Sequence, residues 1–576
     1  MRLTWMNAVP EQPEIREQWN ALVFQMETPE VFYTWEWMAA FTRAYQGSVQ
    51  PWIAIAYEGD ELVGIAALVR SSETEASFLA GTTADYCDFI SRPEKRKELV
   101  AQVLREVQEA GVHTLLLANL PGDSATVAEI KGNKSFKSFL RTGYICAQVQ
   151  MGSEEDRRVL SNTVLKKKML RRSLNTLRRI GPVTLQHDTS AGSKKSVIER
   201  FCGTHVARFL ATDRISNLVS AQRRNFLVEL AQLLGDQGWF DLMVLRAGSW
   251  VLALNYGFRF HGSWFWYQPT IINKYEELSP GYCMLAKIVE DACRNPEARV
   301  VDLGLGAEGY KERFFNAERT TLYATLASSG KDLWKVRARY YAAQAVKHSP
   351  RLEASARRLE KAIRNIRKRV AEDGWASVLG WAGQRLQRSF ASDDEVLFFQ
   401  WGNGADDPAK RGGLVPITWE ILSAAAMQYS EDQETLDYLL RSATRFRANQ
   451  SRGYALLAAD GVVQHFAWAG PYEGFAMAEL GETLRAPSTT SVMIFDCWTP
   501  RALRGQGLYA RAITQLAGLL SAEGKDVWIF SAAANQGSMA GIQKAGFQRQ
   551  ASHFRRKILW WAKTRQETTV VSARAA

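Results

Sequence analysis

Apolar positions along this chain recur with two periods, and each period marks a different kind of element. Glu14 to Met26 and Leu99 to Glu109 space their apolar residues as one face of a helix does. Pro51 to Tyr57 and Leu62 to Leu68 are apolar runs on either side of Glu58-Gly59-Asp60, which predicts a hairpin of buried strands. Thr114 to Leu117 predicts a short buried strand. Phe240 to Leu245 and Trp250 to Phe260 repeat the hairpin around Gly248-Ser249, and His261-Gly262 turns the chain into Ser263 to Tyr267. Pro280-Gly281 precedes a helix over Tyr282 to Arg294, and Val300 to Gly304 is a further strand. The pattern returns late in the chain: strands over Gly453 to Ala459, Val462 to Trp468, Thr490 to Cys497 and Val527 to Phe530, with helices from Ala510 and from Asn535.

This alternation predicts an α/β (α+β) fold with three mixed-sheet domains. The boundaries read as 1–150, 151–330 and 393–565, with a helical linker over 331–392 and a disordered tail over 566–576. In the linker Leu352, Ala356, Leu359, Ile363, Ile366 and Val370 form one apolar stripe on a basic helix, either a docking helix with solvated charged faces or a contact for an anionic surface.

Composition narrows the class. At 576 residues the chain exceeds what one core supports. No apolar run reaches the roughly 18 residues needed to span a bilayer, and Met1 to Trp5 does not open a signal peptide. The 6 cysteines form no Cys-x-x-Cys pair, so neither a metal site nor a disulfide framework is expected. These features predict a cytoplasmic protein. The net charge of +12 is uneven: residues 331–370 hold 13 Lys/Arg against 3 Asp/Glu. Overall basicity is therefore weak evidence for nucleic acid, and anionic contact, if any, is expected through 331–370.

The sharpest chemical signal is Arg504-Gly505-Gln506-Gly507-Leu508-Tyr509, a glycine turn between a strand and a helix. Such a turn points backbone N–H groups at one spot, and the helix dipole adds positive potential there, which suits a phosphate. Followed by Asn535-x-x-Ser538 and Lys544-Ala545-Gly546-Phe547, it resembles the GNAT superfamily of acyl-CoA N-acyltransferases over 393–565. The resemblance implies that Arg504 to Tyr509 hold the coenzyme A pyrophosphate. It also implies that Phe495 and Cys497 offer backbone to the pantetheine arm and acyl carbonyl, with Asn535 beside the pantetheine. Two positions depart from the family pattern: Tyr509 stands where a small residue is usual, and Ile542 where a tyrosine general acid is frequent. His465 and Glu479 are base candidates; His465 equally suits a packed strand histidine, and Glu479 a surface carboxylate.

Residues 1–330 resemble the CelD-like acetyltransferases associated with cellulose biosynthesis, relatives of the Fem-type peptidoglycan aminoacyltransferases. Phe32 to Trp37, Asp85-Tyr86-Cys87-Asp88, Asn255-Tyr256-Gly257-Phe258, Ser279-Pro280-Gly281, Asp302-Leu303-Gly304 and Glu308-Gly309-Tyr310-Lys311 carry it. It implies two tandem GNAT folds, the first degenerate. Asp302 is a further base candidate and Tyr310 and Lys311 are substrate-binding candidates, with a structural loop contact as the alternative for each. Ser279-Pro280-Gly281 could hold an anion or simply cap a helix. The helix over Lys166 to Arg179 could face a nucleotide, a tRNA or an acidic glycan, or present a solvated face. Trp264, Trp266 and Tyr267 could stack sugars or fill a core.

Together these readings predict acyl transfer, from acetyl-CoA, to an amine or hydroxyl acceptor, with a role in exopolysaccharide or cell-envelope synthesis. The alternatives are a Fem-like aminoacyl transferase using charged tRNA and a non-catalytic acyl-CoA-binding scaffold.

Overall fold

The computed structural model describes residues 1–306, 308–347, 391–402, 412–477, 480–558 and 561–568. The chain forms two compact units. The first comprises Met1–Arg208 and Ser220–Ala345, and the second Phe209–Val219 and Val346–Ala576. The amphipathic stripe expected over 352–370 lies outside the described residues, as do 569–576 of the expected tail.

The strands of the first unit are β1 (Arg2–Met6), β2 (Gln50–Glu58), β3 (Glu61–Arg70), β4 (Glu75–Phe78), β5 (Ile90–Ser91), β6 (Thr114–Pro121) and β7 (Lys137–Gln150). They continue with β8 (Val183–Asp188), β9 (Phe240–Ala247), β10 (Trp250–Phe260), β11 (Ser263–Ile271), β12 (Val300–Leu305) and β13 (Ala317–Ala327). All join one sheet, in the order β1-β2-β3-β4-β6-β13-β7-β12-β11-β10-β9-β8, with β5 on β3. Position 150 therefore lies inside a continuous sheet, and β13, from the end of the second half, pairs with β6 and β7 of the first. β2 and β3 are buried on both faces, which explains their continuous apolar runs.

The helices of this unit are α1 (Pro13–Phe24), α2 (Trp35–Ala44), α3 (Pro93–Glu109), α4 (Thr126–Gly132), α5 (Glu154–Lys166), α6 (Lys168–Arg178), α7 (Lys195–Ala211), α8 (Ala221–Asp236), α9 (Pro280–Arg294) and α10 (Gly330–Lys347). The basic stretch expected as one helix from Lys166 to Arg179 is thus divided between α5 and α6 at Lys167. Trp37 of α2 locks the halves together: its ring meets Phe32 of the first half and Phe226, Phe258 and Tyr267 of the second at 4.7–5.6 Å. Trp264 and Trp266 are buried in the core that packs α6 and α9 against the sheet, where they act as packing residues.

The second unit has β14 (Ala391–Trp401), β15 (Leu414–Pro416), β16 (Arg452–Leu457), β17 (Val463–Pro471), β18 (Ala476–Met477), β19 (Glu482–Thr483), β20 (Ser491–Trp498), β21 (Asp526–Ala532), β22 (Phe547–Ile558) and β23 (Trp561–Thr568). Its sheet runs β15-β16-β17-β20-β21-β14-β22-β23, and β18 pairs with β19 apart. β23 extends through Thr568, past the expected start of a disordered tail at 566. The helices are α11 (Trp419–Gln428), α12 (Gln433–Ala448), α13 (Leu508–Ala522) and α14 (Gln536–Lys544).

Among the described strands only three neighbouring pairs are parallel: β4 with β6, β11 with β12, and β20 with β21. Each is joined through a helix, respectively α3, α9 and α13. Each pair holds for only three or four residues and then separates. In the first half the chain fills the gap itself: the Cys87 N–H donates to Asn119 O of β6 at 3.0 Å, and the Asn119 Nδ2 donates to Ala84 O at 2.8 Å. Arg96 of α3 ties this loop down, donating to Ser91 Oγ at 2.9 Å and Thr126 Oγ1 at 3.0 Å and pairing with Asp88 at 2.9 Å.

Removing one member of a buried ion pair leaves the other charge uncompensated. Asp88→Ala is expected to destabilise the first unit by about 3–5 kcal/mol, read as a lower urea midpoint for its unfolding transition. A shift below about 1 kcal/mol would show that this pair does not hold the loop.

Candidate functional site

In the second unit the separation of β20 from β21 opens a cleft of about 680 Å³. Their pairing ends at Ile494 and Ile529. Two residues later Asp496 takes φ 46, and opposite it the β17 register slips between Phe466 and Trp468. This is a bulge that turns the end of β20 away from its neighbour. α12 pins it from behind: Tyr438 donates its hydroxyl hydrogen to Asp496 O at 3.0 Å, and Arg445 pairs with the Asp496 carboxylate at 2.6 Å. The Arg445 guanidinium also lies over the rings of Trp468 and Phe495, at 4.9 and 5.1 Å.

The glycine turn forms the cleft's rim. Gly505 and Gly507 sit at φ 82 and φ 74, and Gly507 is the residue before α13, with no side chain capping the helix. The first-turn amides of α13 have no preceding helical carbonyls to donate to, so they face the cleft mouth as donors. Arg504 folds back, its Nε donating to Thr499 O at 3.1 Å. Asn535 accepts from the Ser538 N–H at 3.1 Å and so caps α14 on the opposite wall.

Tyr509, the large residue at a usually small position, turns its ring toward α14. Its hydroxyl lies 3.1 Å from Ser538 Oγ, and a Cβ at Gly541 would come within 2.5 Å of its ring. The missing side chain at Gly541 makes room for the ring. Burial raises the Tyr509 phenol above its usual range, so it stays protonated at neutral pH. Ile542 is fully buried in the core and offers no proton.

His465 reaches the cleft from β17. Its Nδ1 lies 2.7 Å from Thr499 Oγ1, while its Nε2 is buried without a hydrogen-bond partner. Burial pushes its pKa down to about 3, so it is a neutral hydrogen-bonding group rather than a resident cation. The cleft thus gathers His465, Phe495, Cys497, Arg504, Gly505, Gly507, Leu508, Tyr509 and Asn535; Gln506 does not line it. Glu479 lies outside the described residues. Asp496, Arg445 and Tyr438 were not expected from sequence; Ser538 was part of the Asn535-x-x-Ser538 motif.

In the first unit Asp302 stands where β11 and β12 separate. Its Oδ2 accepts from the Tyr86 hydroxyl and Gln148 Nε2, each at 2.8 Å, and its Oδ1 from the Gly304 N–H at 2.8 Å. The Asp302 carboxylate is thus oriented by three donors. Lys311 is buried too, its Nζ 2.6 Å from Glu308 and 3.0 Å from Gly306 O, and the Tyr310 hydroxyl accepts from Trp266 Nε1 at 3.0 Å. Beside them Asp85, from the first half, is raised to about 7 by lost hydration and by the Asp302 charge. Ser279 before α9 has φ 54 and makes no side-chain cap. α6 buries Leu170, Leu174 and Leu177 and leaves Lys168, Arg171, Arg172, Arg178 and Arg179 exposed.

Residues 166–312 match the family model of an acetyltransferase (GNAT) domain. This stretch is therefore similar to GNAT acetyltransferase domains. No curated protein matches the chain. Among solved structures, FemX is 10% identical with a TM-score of 0.41, covering 58% of this chain and 99% of that one. L-PGS from Bacillus licheniformis is 10% identical with a TM-score of 0.39, covering 57% of this chain and 94% of that one. A tandem GNAT protein from the clavulanic acid biosynthesis pathway is 13% identical with a TM-score of 0.34, covering 57% and 99%. Likenesses this distant carry no argument about function. Among the described residues no helix is long and apolar enough to cross a membrane.

His465 supplies a pH test. As pH falls below 6.5 the unfolded chain binds a proton that the folded imidazole refuses until about 3. Stability of the second unit is therefore lost as pH falls through that window, by about 1.4 kcal/mol per pH unit from this group. His465→Gln is expected to flatten the slope between pH 6 and 4, measured by urea unfolding across pH. An unchanged slope means the imidazole is not held neutral.

Proposed function

We propose that this chain is a GNAT-type acyltransferase that moves an acyl group, in the first instance acetyl, from coenzyme A to an amine or hydroxyl acceptor. The observation that carries the reading is the second unit's cleft, where unpaired helix-start amides, diverging parallel strands and Asn535 line one space of about 680 Å³. In this reading the turn from Arg504 to Tyr509, including the Gln506 amide, holds the pyrophosphate. The free edge of β20 at Phe495 and Cys497 receives the pantetheine arm. A thioester is already activated, so the protein's work is to place the amine and polarise the carbonyl. His465, with its unpartnered Nε2, is a hydrogen-bonding group for donor or acceptor, and Glu479 remains a base candidate. In the first unit Asp302 would fix charge at the equivalent strand divergence, with Tyr310 and Lys311 shaping that wall.

The acceptor is proposed to belong to exopolysaccharide or cell-envelope synthesis on the resemblance of residues 1–330 alone, and the protein to act in the cytoplasm on its composition. A second reading, aminoacyl transfer from a charged tRNA, is favoured by the solvated basic face of α6, which could track a polyanion. Contact with an anionic surface through 331–370 remains part of the proposal.

Acetyl-CoA is expected to bind the full-length protein in calorimetry. Gly507→Val, which forces a β-branched residue to positive φ at the rim, should weaken binding by at least about tenfold. Equal affinity of the variant, or no binding by the wild type, would remove the cleft as the donor site. Co-purifying tRNA without coenzyme A affinity would favour the second reading.

A further inference from the structure

Arg223 of α8 is buried, with only 8% of its surface exposed. Its Nη2 donates to the Tyr267 hydroxyl at 2.9 Å, and its guanidinium lies 5.1 Å from the Phe226 ring centre. Its Nε and Nη1 are buried with no hydrogen-bond partner, and among the described residues no carboxylate forms an ion pair with it. A buried cation normally has its donors filled, because unfilled donors leave its desolvation uncompensated. The orientation is nevertheless fixed: Tyr267, which accepts from Arg223, passes its own hydrogen to Thr83 O at 2.6 Å.

The surroundings supply the complementary charge. Asp85 comes from the loop that fills the first half's strand gap, and its Oδ2 would stand 3.0 Å from a Cβ at Gly304, just beyond Asp302. Arg223 and Lys311 both act on the Asp85 carboxyl. Lys311 is spent on Glu308 and two backbone carbonyls, whereas Arg223 keeps free donors. Asp85, Tyr267 and Gln268 around it each retain part of their surface. A dianionic phosphate at Arg223 would face the charges of Asp85 and Asp302. A zwitterion would satisfy both signs at once.

We infer that the junction of the two halves of the first unit binds a small molecule carrying a carboxylate beside an ammonium, an α-amino acid in chemical class. Arg223 takes the carboxylate and Asp85 the ammonium. The inference does not rest on acyl-CoA binding by the second unit, so the two can fail separately.

The test is calorimetry on the full-length protein with each standard L-amino acid. Any amino acid that binds is then compared with its methyl ester, its N-acetyl derivative and inorganic phosphate. At least one amino acid should bind, with ester and N-acetyl forms weaker by about tenfold or more and phosphate not competing. Arg223→Gln should lose about tenfold or more for the amino acid, and Asp85→Asn should lose affinity for the amino acid but not for its N-acetyl derivative. Binding by none of the amino acids, an ester that binds as well as its acid, or phosphate that displaces the ligand would overturn the inference. So would two folded variants that bind like the wild type. The ester and N-acetyl comparisons use only wild-type protein and decide the matter even where Arg223→Gln does not fold.

Discussion

The functional architecture depends on neighbouring parallel strands that pair briefly and then part. Three such pairs recur, and each must answer the same question: what satisfies the backbone groups that lose their partner strand. The first half answers with its own loop, through Cys87, Asn119 and Ala84. The second answers with side chains, as Asp302 collects Tyr86, Gln148 and the Gly304 amide. At the third the gap stays open as a cleft lined by Ile494, Phe495 and Ile529. One strand geometry thus yields a plugged site, a polar buried site and an open one.

Keeping the third gap open requires support from behind. A positive φ at a residue other than glycine is unfavourable, and Asp496 adopts it only because α12 over-determines the bulge. Tyr438 holds its carbonyl, and Arg445 holds its carboxylate while stacking on two rings. The front wall shows the same mutual fit, where Tyr509 can cross to Ser538 only because Gly541 has no side chain. The cleft is therefore a packed structure with a void, not a loosely assembled groove.

Sequence made the elements legible wherever periodicity and turn chemistry agreed. The hairpin at Gly59, the glycine turn before α13 and the Asn535 cap all follow from local rules about φ and unpaired amides. What it could not show depends on distant pairing. Tyr86 and Asp302 are 216 residues apart in the chain and share a hydrogen bond. β13 crosses back into the first half, so a boundary drawn from the local pattern falls within a shared sheet. The Asp496 bulge is silent because an aspartate in an apolar strand has no local signature. Among the described second-unit candidates, Phe495, Cys497 and the Arg504 to Tyr509 turn came together because they flank one strand–turn–helix. Those in the first unit proved to be spent on internal bonds that only the fold reveals.

Charge makes the same division. The basic residues of α6 are solvated around a leucine stripe, so they contribute field rather than stability. Buried cations are where charge shapes structure, and among the described residues of the first unit other shielded cations have a carboxylate. Arg96 pairs with Asp88, Arg319 with Glu30 and Lys311 with Glu308. Glu30 is pushed up to about 7 by burial even with its arginine beside it, which shows how strongly this interior penalises charge. Arg223 lacks such a partner in the same environment. Its guanidinium is instead immobilised by Tyr267 and Phe226 with two nitrogens unfilled. An immobilised cation has already met the ordering cost that a flexible surface arginine would meet on binding an anion, so its unfilled donors are preorganised for a ligand rather than a flaw in packing.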